Sequence, residues 1–362
     1  MCKCPVCGRE LTAALCPTCG YDRSADFIRY PTLVPIAPGT AAPGRGNILR
    51  CSECGGTQFN LRIREGELVC TDCGMVLSEQ QLRGITRPGI AALSAGKYQS
   101  GVVLKDGSVC AVGENDFCQC QLQTWSRVRA LDFGHSHAVG LRFDGTVLAQ
   151  GINQDGACDV LDWRGIQDIA AGWEHTVGVT SDGTVVTAGA NEHGQRNVSR
   201  WRGVKAVAAG SHHTVALHRD GTVSAEGYDA YGQLEVKQWR NVKAIAAGAA
   251  YTVALHDDGH VSIAGYRDSG LHEVEQWRGI EAIASGEYHV LGLRGDGRVL
   301  AAGCGRDGQL DVSQWENIEA IAAGGNHSLG LTGDGRIFTA GANECGQLRL
   351  EELLRENDRE TP

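Results

Sequence analysis

The chain has 362 residues, 50 of them Gly, with 42% hydrophobic and 21% charged side chains. That balance excludes a disordered chain, and the glycines lack the three-residue period of a collagen. A formal net charge of −10 argues against chain-wide attraction to nucleic acid or anionic membrane, and no run reaches the roughly 18–20 apolar residues of a membrane span.

The N-terminus, Met1-Cys2-Lys3-Cys4-Pro5, has no signal-peptide core. Nine of the 15 cysteines precede residue 74. This crowding points to metal-binding thiolates in a cytoplasmic protein rather than to a secreted disulfide framework. Cys4-x2-Cys7 pairs with Cys16-x2-Cys19, and Cys51-x2-Cys54 with Cys70-x2-Cys73. Each pair of hooks supplies four thiolates, the tetrahedral sulfur set that structural Zn²⁺ prefers, and leaves no open position for catalysis. A Gly follows each hook (Gly8, Gly20, Gly55, Gly74), freeing backbone N–H groups to turn toward the sulfurs. Two structural Zn²⁺ sites are therefore expected, in ribbons over residues 1–25 and 49–80. A spacer over residues 26–48 holds Pro31, Pro35, Pro38 and Pro43.

From residue 88 to 354 the chain repeats. Gly96, Gly134, Gly172, Gly210, Gly248, Gly286 and Gly324 stand 38 residues apart, and an Asp-Gly pair recurs from Asp106-Gly107 to Asp334-Gly335. A third column holds Trp125, Trp163, Trp201, Trp239, Trp277 and Trp315, with Leu353 at its end. Within each unit, short apolar runs such as 204–208, 214–217 and 222–225 flank the Asp-Gly pair. That pattern predicts strands joined by a two-residue type I′ hairpin turn. Seven small antiparallel sheets around an axis make an all-β, seven-bladed β-propeller, here preceded by the two small zinc ribbons. Residues 355–362 read as a charged tail.

The run Ala208-Ala209-Gly210-Ser211-His212-His213-Thr214, followed by Asp220-Gly221 and Gly232-Gln233, resembles regulator of chromosome condensation repeats. The resemblance covers the whole repeat array and implies a seven-bladed propeller of the compact bacterial type that binds a protein partner. It also implies an alternative, guanine-nucleotide exchange on a small GTPase, which in the family depends on a loop insertion that the constant 38-residue step does not contain. The segment Arg50–Leu77, with its four cysteines, resembles the zinc ribbon of transcription factor IIB. That likeness implies a second alternative, a nucleic-acid- or RNA-polymerase-associated regulator. Residues before Gly84 carry nine basic and eight acidic side chains, against 24 and 35 after, so any nucleic-acid contact falls to the ribbons.

His137, His175, His213, His289 and His327 form a further column, filled elsewhere by Gln99 and Tyr251. A side chain repeated at one blade position reads as a structural hydrogen bond to a buried backbone group, and the Trp column as packing between blades. Function is expected where the repeat breaks its own rule. Between the Gly and His columns stand Lys97-Tyr98, His135-Ser136, Trp173-Glu174, Ser211-His212, Ala249-Ala250, Glu287-Tyr288 and Gly325-Asn326. A second variable set is Phe117, Asp155, His193, Tyr231, Ser269, Asp307 and Cys345. Aromatic and charged residues held on a rigid face suit protein binding. The candidate partner face is Lys97, Tyr98, His135, Trp173, Glu174, His212, Glu287, Tyr288 and Asn326, with Trp173, Tyr98 and Tyr288 as anchors. No nucleophile elbow or phosphate loop is present. The chain therefore reads as a monomeric, non-enzymatic interaction scaffold with no membrane partner.

Overall fold

In a computed structural model, the described residues are the backbone of 59–62, 67–70 and 76–77, and residues 89–354. The first set is one antiparallel sheet of three strands, Phe59–Arg62, Glu67–Cys70 and Val76–Leu77. The first ribbon and cysteines 4, 7, 16, 19, 51, 54 and 73 lie outside the described residues.

Residues 89–354 form seven antiparallel sheets of three strands each, in strict sequence order. Blade 1 is Ile90–Ala95, Gln99–Leu104 and Val109–Gly113, and blade 7 is Ile318–Ala323, His327–Thr332 and Ile337–Gly341. The first strand of each blade is innermost: its last residues line a narrow axial cavity of about 80 Å³. That strand is Ala-rich, which lets seven inner strands crowd around one axis. The middle strand has neighbours on both edges and both faces, so it reads as an almost unbroken buried run, such as His175–Thr180.

The hairpin turn differs from the type I′ turn expected of Asp-Gly. Gly107, Gly145 and Gly183 have positive φ (84°, 78° and 80°), but the aspartates before them do not. The Gly107 N–H donates to the Leu104 carbonyl and the Leu104 N–H to the Ser108 carbonyl. This is a three-residue hairpin, a type I turn closed by one left-handed Gly. The Asp106 carboxylate accepts the Ser108 N–H, so the aspartate stabilises the turn through its side chain and needs no left-handed backbone.

The Trp column packs between blades, as expected. Trp125 leaves blade 1 and lies on blade 2, where a Cβ at Gly140 would sit 2.5 Å from the indole. Six of the seven blade interfaces carry one such Trp. The seventh departs from the column as read in the sequence: a helical turn over 350–354 buries Leu350 and Leu354, not Leu353, against Val102 and Leu104 of blade 1 and Leu331 and Ile337 of blade 7.

Candidate functional site

Each blade sends two loops to one face. The Gly-x-x segment joins inner to middle strand, and the loop after the outer strand begins beside it. The Glu114 N–H donates to the Tyr98 carbonyl, Ala190 to Glu174, Tyr228 to His212 and Cys304 to Tyr288. Both variable sets therefore share the face of the channel mouth, with the first set on the inner rim and the second outside it. The Asp-Gly turns occupy the opposite face.

The His column lies just beneath this rim. His175 Nε2 is 3.0 Å from Thr214 Oγ1 of the next blade, and His137–Thr176, His213–Thr252, His289–Ser328 and His327–Ser100 repeat the contact at 2.9–3.1 Å. The partner is thus a hydroxyl of the following blade, rather than the backbone group expected from the sequence. Four of these hydroxyls donate their own hydrogen to a carbonyl, as Thr214 does to Gln195 at 2.7 Å. Their oxygens are then left to accept from Nε2–H, which fixes the neutral tautomer. Burial holds the rings neutral, pushing His137, His213 and His327 down to about 4 and His175 and His289 to about 3. Where the column breaks, its partner breaks too: Ala138 follows Gln99 and Val290 follows Tyr251. The Tyr251 hydroxyl instead donates to the Gly286 and His289 carbonyls, keeping the bond between blades.

Above this layer, three of the predicted residues converge from blades far apart in sequence. The Trp173 indole N–H donates to Glu287 Oε1 at 3.1 Å, and Lys97 Nζ stands 3.3 Å from the same oxygen. The ammonium also lies 4.6 Å from the Trp173 ring centroid and 5.4 Å from that of Tyr98. Ser211, Ala249 and Gly325 occupy the equivalent positions in blades 4, 5 and 7, and their small size leaves the mouth to these larger side chains.

An arc of rings extends outward from Trp173. His135 and His212 each meet the indole edge-on at 5.2 Å, Tyr98 lies 6.2 Å beyond His135, and His193 and Tyr228 continue past His212 at 4.9 and 5.1 Å. His135 is held below its ordinary value first by burial and then by the Lys97 charge; His212 is lowered by burial and by His193. Tyr288 stands 43% exposed, with its hydroxyl held above the ordinary value by partial burial and by Glu287. Glu174 is exposed and Asn326 half-buried on the same rim, and neither joins the arc. Tyr228 and Tyr266 were not singled out in the sequence. Their signal was there: in the column that opens the outer loop, they are the two aromatics among Glu114, Ile152, Ala190, Cys304 and Ala342.

Cys120 and Cys158 are partly or fully buried thiols. Burial first, then a neighbouring acid (Glu114 and Asp159 respectively), pushes them up to about 12 and about 11, unfavourable values for thiolate chemistry. Among the described residues, no group of three or more His, Cys, Asp or Glu side chains is placed to hold a metal ion. Nor is any described helix long and apolar enough to cross a membrane.

The family model for the regulator of chromosome condensation (RCC1) repeat matches residues 166–195, 204–233, 280–309 and 318–347. The three blades outside the match are those that carry Gln99, Ala138 with Ala157, and Tyr251 with Leu271 in the repeat columns. No curated protein matches the chain. Among solved structures, Prp20p from Saccharomyces cerevisiae superposes with a TM-score of 0.54 at 17% identity, covering 73% of this chain and 85% of that one. Human WBSCR16 gives 0.57 at 18% identity, covering 71% and 89%. The CRINKLY WD40 ectodomain of the Arabidopsis thaliana receptor kinase ACR4 gives 0.58 at 16% identity, covering 71% and 97%. The chain thus carries four recognisable RCC1 repeats, and its seven three-stranded blades are folded like those of an RCC1 propeller.

Proposed function

We propose that this protein is a non-enzymatic interaction scaffold whose propeller presents the loop face around Trp173 to a protein partner. The observation that carries this reading is the meeting of Trp173, Lys97 and Glu287 at the channel mouth, from blades 3, 1 and 6. Buried bonds between blades fix the frame beneath them, so docking orders few side chains and loses little entropy. Partly exposed aromatics in such a frame have the character of binding hot spots. Yeast Prp20p, which shares the fold, is described with binding properties to Gsp1p and histones, and a protein partner here is compatible with that.

The two ribbons are proposed as accessory contacts to protein or nucleic acid, each folded around one structural Zn²⁺ held by four cysteines. The strand register supports the second site. Phe59 pairs with Cys70, so the hairpin returns the chain at Cys70 to the point it left five residues after Cys54. Bound zinc would supply structural cross-linking only.

Site-specific photocrosslinking tests the display reading. A photoreactive side chain at position 288 in the full chain captures a discrete protein partner in cells of the source organism, and one at position 143, beside an Asp-Gly turn on the opposite face, does not. Capture at 143 and none at 288 would reject this face.

A further inference from the structure

The arrangement at the channel mouth has the chemistry of a cation site, and it is filled by the chain's own lysine. An ammonium over the faces of a Trp and a Tyr, with a carboxylate as counter-ion, is how proteins recognise cationic groups. Here the faces are Trp173 and Tyr98, the carboxylate is Glu287, and the cation is Lys97. The frame around the ammonium is tied in place from several sides. Glu287 and Trp173 bond to each other, and the Glu287 backbone is tied on both sides, its N–H to the Gly324 carbonyl and its own carbonyl to the Ala249 N–H. Lys97 Nζ reaches the site on a four-carbon stem, and its side chain keeps 18% of its surface in solvent.

The surrounding loops favour a second cation. Glu174 stands on the inner rim, and Glu114, Asp116, Glu192, Asp229 and Glu344 stand on the outer loops of the same face. Partial burial first, and then the charge of Asp116, already hold Glu114 above its ordinary value. Of the basic residues on these loops, Arg196 donates to the carbonyls of Gly189 and Thr187, and Arg267 to the Ile263 carbonyl and to Glu275. Arg306 is the neighbour of Asp307 in sequence, and acidic groups outnumber cationic ones on these loops.

We infer that the channel mouth is a cation-recognition cage formed by Trp173, Tyr98 and Glu287, which Lys97 occupies until a lysine or arginine side chain of the protein partner displaces it. The inference rests on the display reading and specifies its chemistry: the partner offers a basic residue to an aromatic, acidic face. Lys97 acts as a built-in competitor, so its removal strengthens binding, which is the opposite of what loss of an ordinary contact would do.

The test uses the full chain and tetramethylammonium chloride, followed by calorimetry or by NMR of the indole N–H resonances. Lys97→Met and Lys97→Gln bind the probe about tenfold more tightly than the wild type, the scale of one desolvated cation–π contact. Adding Trp173→Leu to either variant abolishes the gain. Far-UV circular dichroism establishes that each variant is folded, and the two Lys97 variants guard against one of them failing to fold. Equal probe affinity in the wild type and both Lys97 variants overturns the cage, as does a gain that survives Trp173→Leu. Loss of the partner on Trp173→Ala with no probe binding by the Lys97 variants would reject the cage and leave the display reading standing. Probe binding with a partner indifferent to Trp173 would keep the cation chemistry of the cage but reject both the display reading and the displacement of Lys97 by a partner side chain.

Discussion

His327 Nε2 in the last blade lies 2.9 Å from the Ser100 hydroxyl in the first, 227 residues away, repeating the contact that joins the other His-bearing blades to their successors. The ring therefore closes without a strand shared between its ends. Beside that bond, the Gly325 N–H donates to the Gly96 carbonyl. Outside it, Leu350 and Leu354 fill the space that a Trp fills at the other interfaces.

The C-terminal turn should accordingly act as the clasp of the ring. Leu350→Ala and Leu354→Ala each remove a fully buried side chain and are expected to cost about 2–4 kcal/mol. Leu353→Ala, on the less buried side of the same turn, should cost well under half as much. Urea denaturation of the three variants checks the order.

The missing bond between blades 1 and 2 can be restored. Gln99 donates to the His135 carbonyl, and Ala138 stands where five of the other six blades carry the hydroxyl. Gln99→His and Ala138→Thr are each expected to destabilise, because each leaves a buried polar group short of its partner. Together they should recover on the order of 1 kcal/mol relative to the sum of the single changes. A double-mutant cycle by thermal or urea unfolding measures that coupling.

Stability should rise with pH through the range in which unfolded histidine titrates. Each of the five column histidines has a folded value of about 3 or about 4 against an ordinary 6.5. Between those values the unfolded chain binds more protons, so their contribution is complete above 6.5 and is lost as pH falls toward 4 and below. Asp132 works in the opposite sense. Burial raises it from 3.8 to about 7, although its carboxylate accepts the Ala171 N–H, so its contribution is lost as pH rises through that window. Burial raises Asp168 in the same sense, and the five histidines outweigh the two aspartates. The urea midpoint should climb between about pH 4 and pH 6.5, and Asp132→Asn should stabilise more at about pH 8 than at about pH 5.

Metal content tests the ribbons separately. The purified full chain is expected to hold two Zn²⁺ by elemental analysis. Cys70→Ser should lower that to one, with propeller unfolding unchanged. Retention of two ions in the variant would contradict the assignment of the second four-cysteine set.

The propeller was legible because its columns repeat at one spacing, and any residue needed at every interface betrays itself by recurring. Trp125 and its successors, the Gly series and the strand pattern all carried over. The turn type did not: Asp-Gly suits a type I′ hairpin, but Asp106 serves through its carboxylate, and a side-chain bond leaves no mark in a dipeptide. The His partner was missed because it lies 39 residues on, in the next blade, where Thr176 or Thr214 reads as an ordinary strand residue. The convergence of Lys97, Trp173 and Glu287 was hidden for the opposite reason. Each breaks the repeat in its own blade, and only closure of the ring sets them against one another.

The most direct test of the display reading is the dissociation constant of the partner captured through position 288. Trp173→Ala should weaken it by about 2 kcal/mol or more, roughly thirtyfold, and Phe143→Ala on the opposite face should leave it unchanged. An affinity that ignores Trp173 and falls with Phe143 would place the partner on the wrong side of the ring and contradict the account.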